Sequence, residues 1–132
     1  MANDDDLDRV IELVAADVTP SAIGIGRAIV DRTSDFVRAS NEVSVRIARR
    51  LLDGSLDYEP ADLVMNWLWV EVVSWMADTD PDELPEPMYS IYDAIDAGEF
   101  DRPNDPPGTD PVATYTMPAI QSIVESLRAT PE

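Results

Sequence analysis

The chain has 132 residues, 45% of them hydrophobic, and its 27 Asp and Glu stand against nine Arg, giving a net charge of −18. With no histidine, cysteine or lysine, it has no imidazole shuttle at neutral pH, no thiol nucleophile, no disulfide and no nitrogen or sulfur metal site. One folded domain is expected, because the length suits a single unit and the apolar fraction can bury a core, which disordered acidic chains cannot do.

The segment Met1 to Asp8 carries Asp4, Asp5, Asp6 and Asp8 and no basic residue. That is the wrong charge for a secretory or mitochondrial leader, so the expected location is the cytoplasm. Leu7, Val10, Ile11, Val14 and Val18 fall on one helical stripe, which predicts a first helix capped by Asn3 or Asp4. It should end near Val18, where Thr19-Pro20 offers a new cap and a proline at the first helical position. Residues 20–32 predict a short or bent helix, since Gly24 and Gly26 each cost about 1 kcal/mol relative to alanine.

A stronger helix is predicted from Ser34 to Asp53, with Phe36, Ser40, Val43, Ile47 and Leu51 inward and Gly54 as its stop. Its other face carries Arg38, Glu42, Arg46, Arg49 and Arg50. Glu59-Pro60 then opens a segment ending near Asp78 that is apolar almost all round, the pattern of a helix at the centre of a bundle. Trp67, Trp69 and Trp75 are expected in the core, although an outward-facing Trp69 would suit a partner anchor. The run Leu63 to Ala77 is interrupted by Asn66, Glu71 and Ser74 and falls short of the ~20 apolar residues that a membrane span needs.

Between Asp78 and Asp110 lie eleven acids, one Arg and six of the eleven prolines. One short helix fits there, starting at Glu86-Pro87, with Met88, Ile91, Tyr92 and Ile95 as its stripe and Gly98 as its end. Asp101 to Asp110 reads as a proline-rich loop. A final helix carries Ile120, Ile123, Val124 and Leu127, begun or kinked by Pro118. No run alternates as a strand would. The expected fold is therefore all-α, a compact bundle of five or six helices around a Trp-rich central helix.

Few residue patterns point to chemistry, and no cofactor is expected. Asp78, Asp80 and Asp82 alternate like the first ligands of a calcium loop, but Glu83 stands where glycine is needed and Tyr89 where a bidentate Glu is needed. The pairs Asp93/Asp96 and Glu83/Glu86 have the i, i+3 spacing that could hold magnesium in a helical hydrolase, yet the only nearby base for a phosphate is Arg102. Gly24-Ile25-Gly26 is too short for a phosphate loop. The stretch Arg27 to Arg50 holds six Arg and three acids. Arg38, Glu42 and Arg46 are spaced for i, i+4 pairing, and pairing of these Arg with acids of neighbouring helices is the leading expectation, with an anion site at Arg46, Arg49 and Arg50 as the alternative.

The acidity itself has two physical explanations. In the first, Asp80, Asp82, Glu83, Glu86, Asp93, Asp96, Glu99 and Asp101 form a surface for a basic protein partner, in the manner of small acidic nuclease inhibitors and immunity proteins. No motif identifies such a family. Nucleic acid is disfavoured as a partner because the net field repels phosphate. In the second, excess Asp with Arg as the only base is an adaptation to a high-salt cytosol, where screening removes self-repulsion. The concentration of charge between Asp78 and Asp110 favours recognition. A magnesium-dependent enzyme is the third reading.

Overall fold

Each helix forms where an apolar stripe meets a local start and stop signal. The computed structural model describes residues 3–129. In it, α1 (Asp4–Ala15) is capped by Asn3, whose side chain accepts the Asp6 N–H at 2.8 Å, with Asp4, Asp5 and Asp6 at the positive end of the dipole. Leu7, Val10, Ile11 and Val14 are buried. The helix stops before Val18 because Asp17 turns into the left-handed region at φ 62° and the Val18 N–H returns to the Leu13 carbonyl at 2.8 Å. Val18 is left exposed, off the stripe that its spacing suggested.

The short α2 (Gly24–Val30) confirms a weak element between Pro20 and Arg32, and its two glycines differ in role. A Cβ at Gly26 would collide with the Pro20 carbonyl, whereas one at Gly24 would meet nothing within 4 Å. Next, α3 (Phe36–Asp53) buries Phe36, Ala39, Ser40, Val43, Ser44, Ile47, Ala48 and Leu51 and packs against α1, α2 and the three later helices, α4 (Tyr58–Thr79), α5 (Met88–Asp96) and α6 (Met117–Ala129). It ends as expected at Gly54, in the left-handed region at φ 81°, with the Ser55 N–H on the Arg50 carbonyl at 3.0 Å.

The longest helix is α4 (Tyr58–Thr79), which packs on α1, α3 and α5 through Ala61, Val64, Met65, Leu68 and Val72. Its tryptophans are half-buried against the core: Trp75 stacks on Phe36 of α3 with ring centroids 5.2 Å apart, and Trp69 stacks on Tyr92 of α5 at 4.7 Å. The centre of the bundle is shared with α3, because α4 turns one apolar side to solvent, where Leu63, Val70 and Val73 are 50%, 63% and 44% exposed.

Then come α5 (Met88–Asp96) and, after the proline-rich loop, α6 (Met117–Ala129). Pro118 both follows the start of α6 and disturbs what precedes it. Lacking an N–H, it cannot bond the turn behind it, and Val112–Thr116 widens into a π-helical turn in which the Met117 N–H reaches the Val112 carbonyl. This turn caps α5. The Thr116 hydroxyl donates to the Ala94 carbonyl at 2.7 Å, and the Tyr58 hydroxyl of α4 donates at 2.6 Å to the Ile95 carbonyl, which also accepts the Gly98 N–H at 3.1 Å, so the end of α5 is held from other elements. The result is an all-α bundle of six helices, with no strand among the described residues.

Gly98 lies inside that junction, where an added Cβ would stand 2.5 Å from Thr116 Oγ1 and 3.0 Å from the Tyr58 hydroxyl. Gly98→Ala and Gly26→Ala are each expected to destabilise the protein by about 1–3 kcal/mol in urea unfolding, because the obstructing atoms belong to packed elements. Gly24→Ala, with open space and helical geometry, should instead raise stability by up to about 1 kcal/mol.

Candidate functional site

The acid-rich segment is organised around α5, whose nine residues span about 13 Å. Asp80 ends α4 in the left-handed region at φ 47°, its N–H on the Met76 carbonyl, and it is exposed, as are Asp82 and Glu83. Glu86 caps α5, accepting the Ser90 N–H at 2.8 Å and the Ser90 hydroxyl at 2.7 Å. Asp93 is exposed on the helix, and Asp96 is half-buried in its last turn. Glu99 and Asp101 follow, both exposed. The eight acids thus bracket α5, with Glu86 at one end and Asp96 at the other.

Only at the second end are carboxylates drawn together. Glu99 neighbours both Asp96 and Asp62, a residue of α4 one turn beyond Tyr58, closely enough to perturb both carboxyls. Burial raises the Asp62 carboxyl above its usual 3.8, and the Asp96 charge adds to this against a lowering hydrogen bond from Glu99. The hydrogen bond with Glu99 raises Asp96, with burial and the Glu99 charge acting in the same direction. One Asp62 oxygen is buried with no hydrogen-bond partner. Burial and the same three carboxylates also push the Tyr58 and Tyr92 hydroxyls up. Asp62 lies outside the acid-rich segment; its one sequence signal is that of an acid inside the most apolar helix.

None of the eight acids forms an ion pair among the described residues, and five Arg side chains pair with acids elsewhere in the bundle. Arg46 grips Asp8 of α1 through two hydrogen bonds of 2.8 and 2.9 Å and also approaches Asp4, while Arg50 reaches Asp8 at 3.3 Å. Arg32 joins Glu71 and Asp78 of α4, and Arg38 pairs with Asp35. Pairing across helices is therefore found for Arg46, Arg50 and Arg32, but the expected ladder Arg38–Glu42–Arg46 is not, because nonlocal acids lie closer to Arg46. Arg102, the one base near the acids, packs its guanidinium over the rings of Tyr115 and Phe100, 3.7 and 4.7 Å from their centroids. Tyr115 in turn donates to Asp105, which ties the proline-rich loop to the π-helical turn.

Arg46, Arg49 and Arg128 line a hollow of about 590 Å³ between α3 and α6, but Asp53 and Glu125 line it as well. Among the described residues no group of three or more acidic side chains is arranged to hold a metal ion, and no helix is long and apolar enough to cross a membrane. No protein-family model, curated protein or solved structure matches this chain.

The two carboxylate environments give opposite pH dependence. Hydrogen bonds from Arg46 hold the Asp8 carboxyl below its usual 3.8, so its stabilisation is complete above that value and is lost as pH falls through the depressed one. Asp62 and Asp96 are raised, so their contribution is most favourable below 3.8 and is lost as pH rises through the raised values. Asp8→Asn should cost about 1–2 kcal/mol at pH 7, with the difference from wild type closing in acid. Asp62→Asn should gain up to about 1 kcal/mol at pH 7 and flatten the profile between pH 4 and 8. Urea unfolding followed from pH 8 down to well below the usual carboxylate value of 3.8 measures both.

Proposed function

We propose that this chain is a non-enzymatic binding module whose acidic segment engages a basic protein partner in the cytoplasm, in the manner of an inhibitor or immunity protein. The observation that carries this reading is the uncompensated state of the acids around α5. In a chain with only nine Arg, Arg46, Arg50 and Arg32 pair with acids of other elements, Arg102 is stacked on aromatic rings, and Asp80, Asp82, Glu83, Glu86, Asp93, Asp96, Glu99 and Asp101 form no ion pair among the described residues. Such a surface raises the encounter rate with a cationic partner and repels phosphate.

The carboxylates that could have served a magnesium-dependent reaction support this reading through their present engagements. Glu86 is occupied by the Ser90 N–H and hydroxyl, and the Asp96 carboxyl is perturbed by the neighbouring Glu99. Salt adaptation is the second reading, favoured by exposed acids far from α5 in sequence, such as Asp31, Asp53 and Asp57.

Thermal unfolding followed by circular dichroism from about 0.05 M to 3 M potassium chloride separates the two, since the screening length falls from above ~10 Å to about 3 Å or less over that range. A recognition module is expected to be folded throughout, and a chain that unfolds below about 1 M salt is salt-adapted instead. For recognition, Asp93→Arg combined with Asp96→Arg should weaken capture of basic proteins at least about tenfold at physiological ionic strength. Undiminished capture would remove this face from the reading.

A further inference from the structure

Leu63, Asn66, Val70, Val73 and Ala77 recur at intervals of three and four residues along α4, on the side opposite the buried Ala61, Val64, Leu68 and Val72. The stripe runs for about 21 Å and carries no charge. In a chain with 27 acids such a strip is unusual, and three of its members are 44–63% exposed. Its borders differ from its centre. Towards α5, Trp69 contacts Tyr89 and Tyr92, beyond which lie Asp93 and the Asp62–Asp96–Glu99 cluster. Its ends are marked by Glu59 and by Asp78 and Asp80, all exposed. An apolar centre with an aromatic flank and a charged rim is the anatomy of a protein interface.

We infer that the outer face of α4 docks an amphipathic helix with an apolar stripe and basic flanks, so that the acids around α5 steer the partner and the α4 stripe holds it. This rests on the acidic-recognition reading and specifies the partner's chemistry. Charge complementarity selects this occupant over a second copy of the chain. Antiparallel pairing of two α4 stripes would bring Glu59 of each copy towards the unpaired Asp80 of the other, Asp78 being held by Arg32, and parallel pairing would set every acid beside its own twin. A basic helix meets the same rim with opposite charge and has the i, i+3, i+4, i+7 anchors to lie on Leu63, Val70 and Val73.

The test uses two 18-residue Leu/Lys peptides of identical composition, one with its leucines on a single helical face and one permuted to have no apolar face. Titrations of the full chain are followed by calorimetry, and sedimentation velocity reports its own association state. The amphipathic peptide is expected to bind at least tenfold more tightly than the permuted one. Val70→Asp and Leu63→Asp should abolish that preference. Because both add negative charge, they would strengthen purely electrostatic capture, so a loss of affinity reports the stripe. The exposure of both side chains leaves the core intact, and unchanged circular dichroism verifies this. Asp93→Arg with Asp96→Arg should weaken both peptides alike. Equal binding of the two peptides to wild type, or a preference unaffected by Val70→Asp, overturns the docking inference while leaving the acidic reading in place. Binding of neither peptide at low salt removes both. A dimer that Val70→Asp dissociates assigns the stripe to a second copy and overturns the inference.

Discussion

Burial along one side of α3 is the constraint on which the other helices depend. Phe36, Val43, Ile47, Ala48 and Leu51 are almost completely removed from water, and α1, α2, α4, α5 and α6 all pack against this helix. Apolar burial at about 25 cal/mol per Å² is non-directional, so it gathers the helices without fixing their order or angle. Directional contacts supply the arrangement: Phe36 against Trp75 for α4, Asp8 on Arg46 and Arg50 for α1, and the Asn41 side chain accepting the Met88 N–H at 3.1 Å for α5.

The charge distribution follows from the same geometry. A net charge of −18 opposes compaction, and the few guanidinium groups have most effect where two helices meet. Asp8, between Arg46 and Arg50, is the best-compensated acid in the chain, and its partners are only 16–22% exposed. At the far side of the bundle the balance reverses. Asp62, Asp96 and Glu99 gather at the α4–α5 junction with no cation among them, and they hold their place because Tyr58, Thr116 and Gly98 fix the end of α5 independently of charge.

How much of this was legible in the sequence depends on whether the deciding interaction was local. Helical spacing located the six α-helices but not the π-helical turn, and Gly54 marked the end of α3 because a left-handed cap is a local requirement. The end of α1 was misplaced because Asp17, not a glycine, takes the left-handed turn. The partner of Arg46 lies 38 residues upstream, and no intrahelical spacing rule points there. Asp62 escaped notice for the same reason, since its neighbours Asp96 and Glu99 are brought to it only by the packing of α5 on α4. The nearly unbroken hydrophobicity of α4 suggested complete burial, yet Leu63, Val70 and Val73 face outward. Periodicity alone cannot distinguish a buried helix from one that keeps an apolar side free for a partner.

The position of α6 has a consequence for synthesis. This helix covers part of α3 and α5 with Ile120 and Val124, yet it is the last of the six helices to be synthesised. The nascent chain can lay α1 and α2 on α3 early, with Asp8 already able to meet Arg46. The flank of α3 that α6 will cover stays open until the proline-rich loop and the π-helical turn have also been made. A bundle still lacking α6 would carry this apolar seam on a strongly anionic body, whose charge opposes the association of one such seam with another.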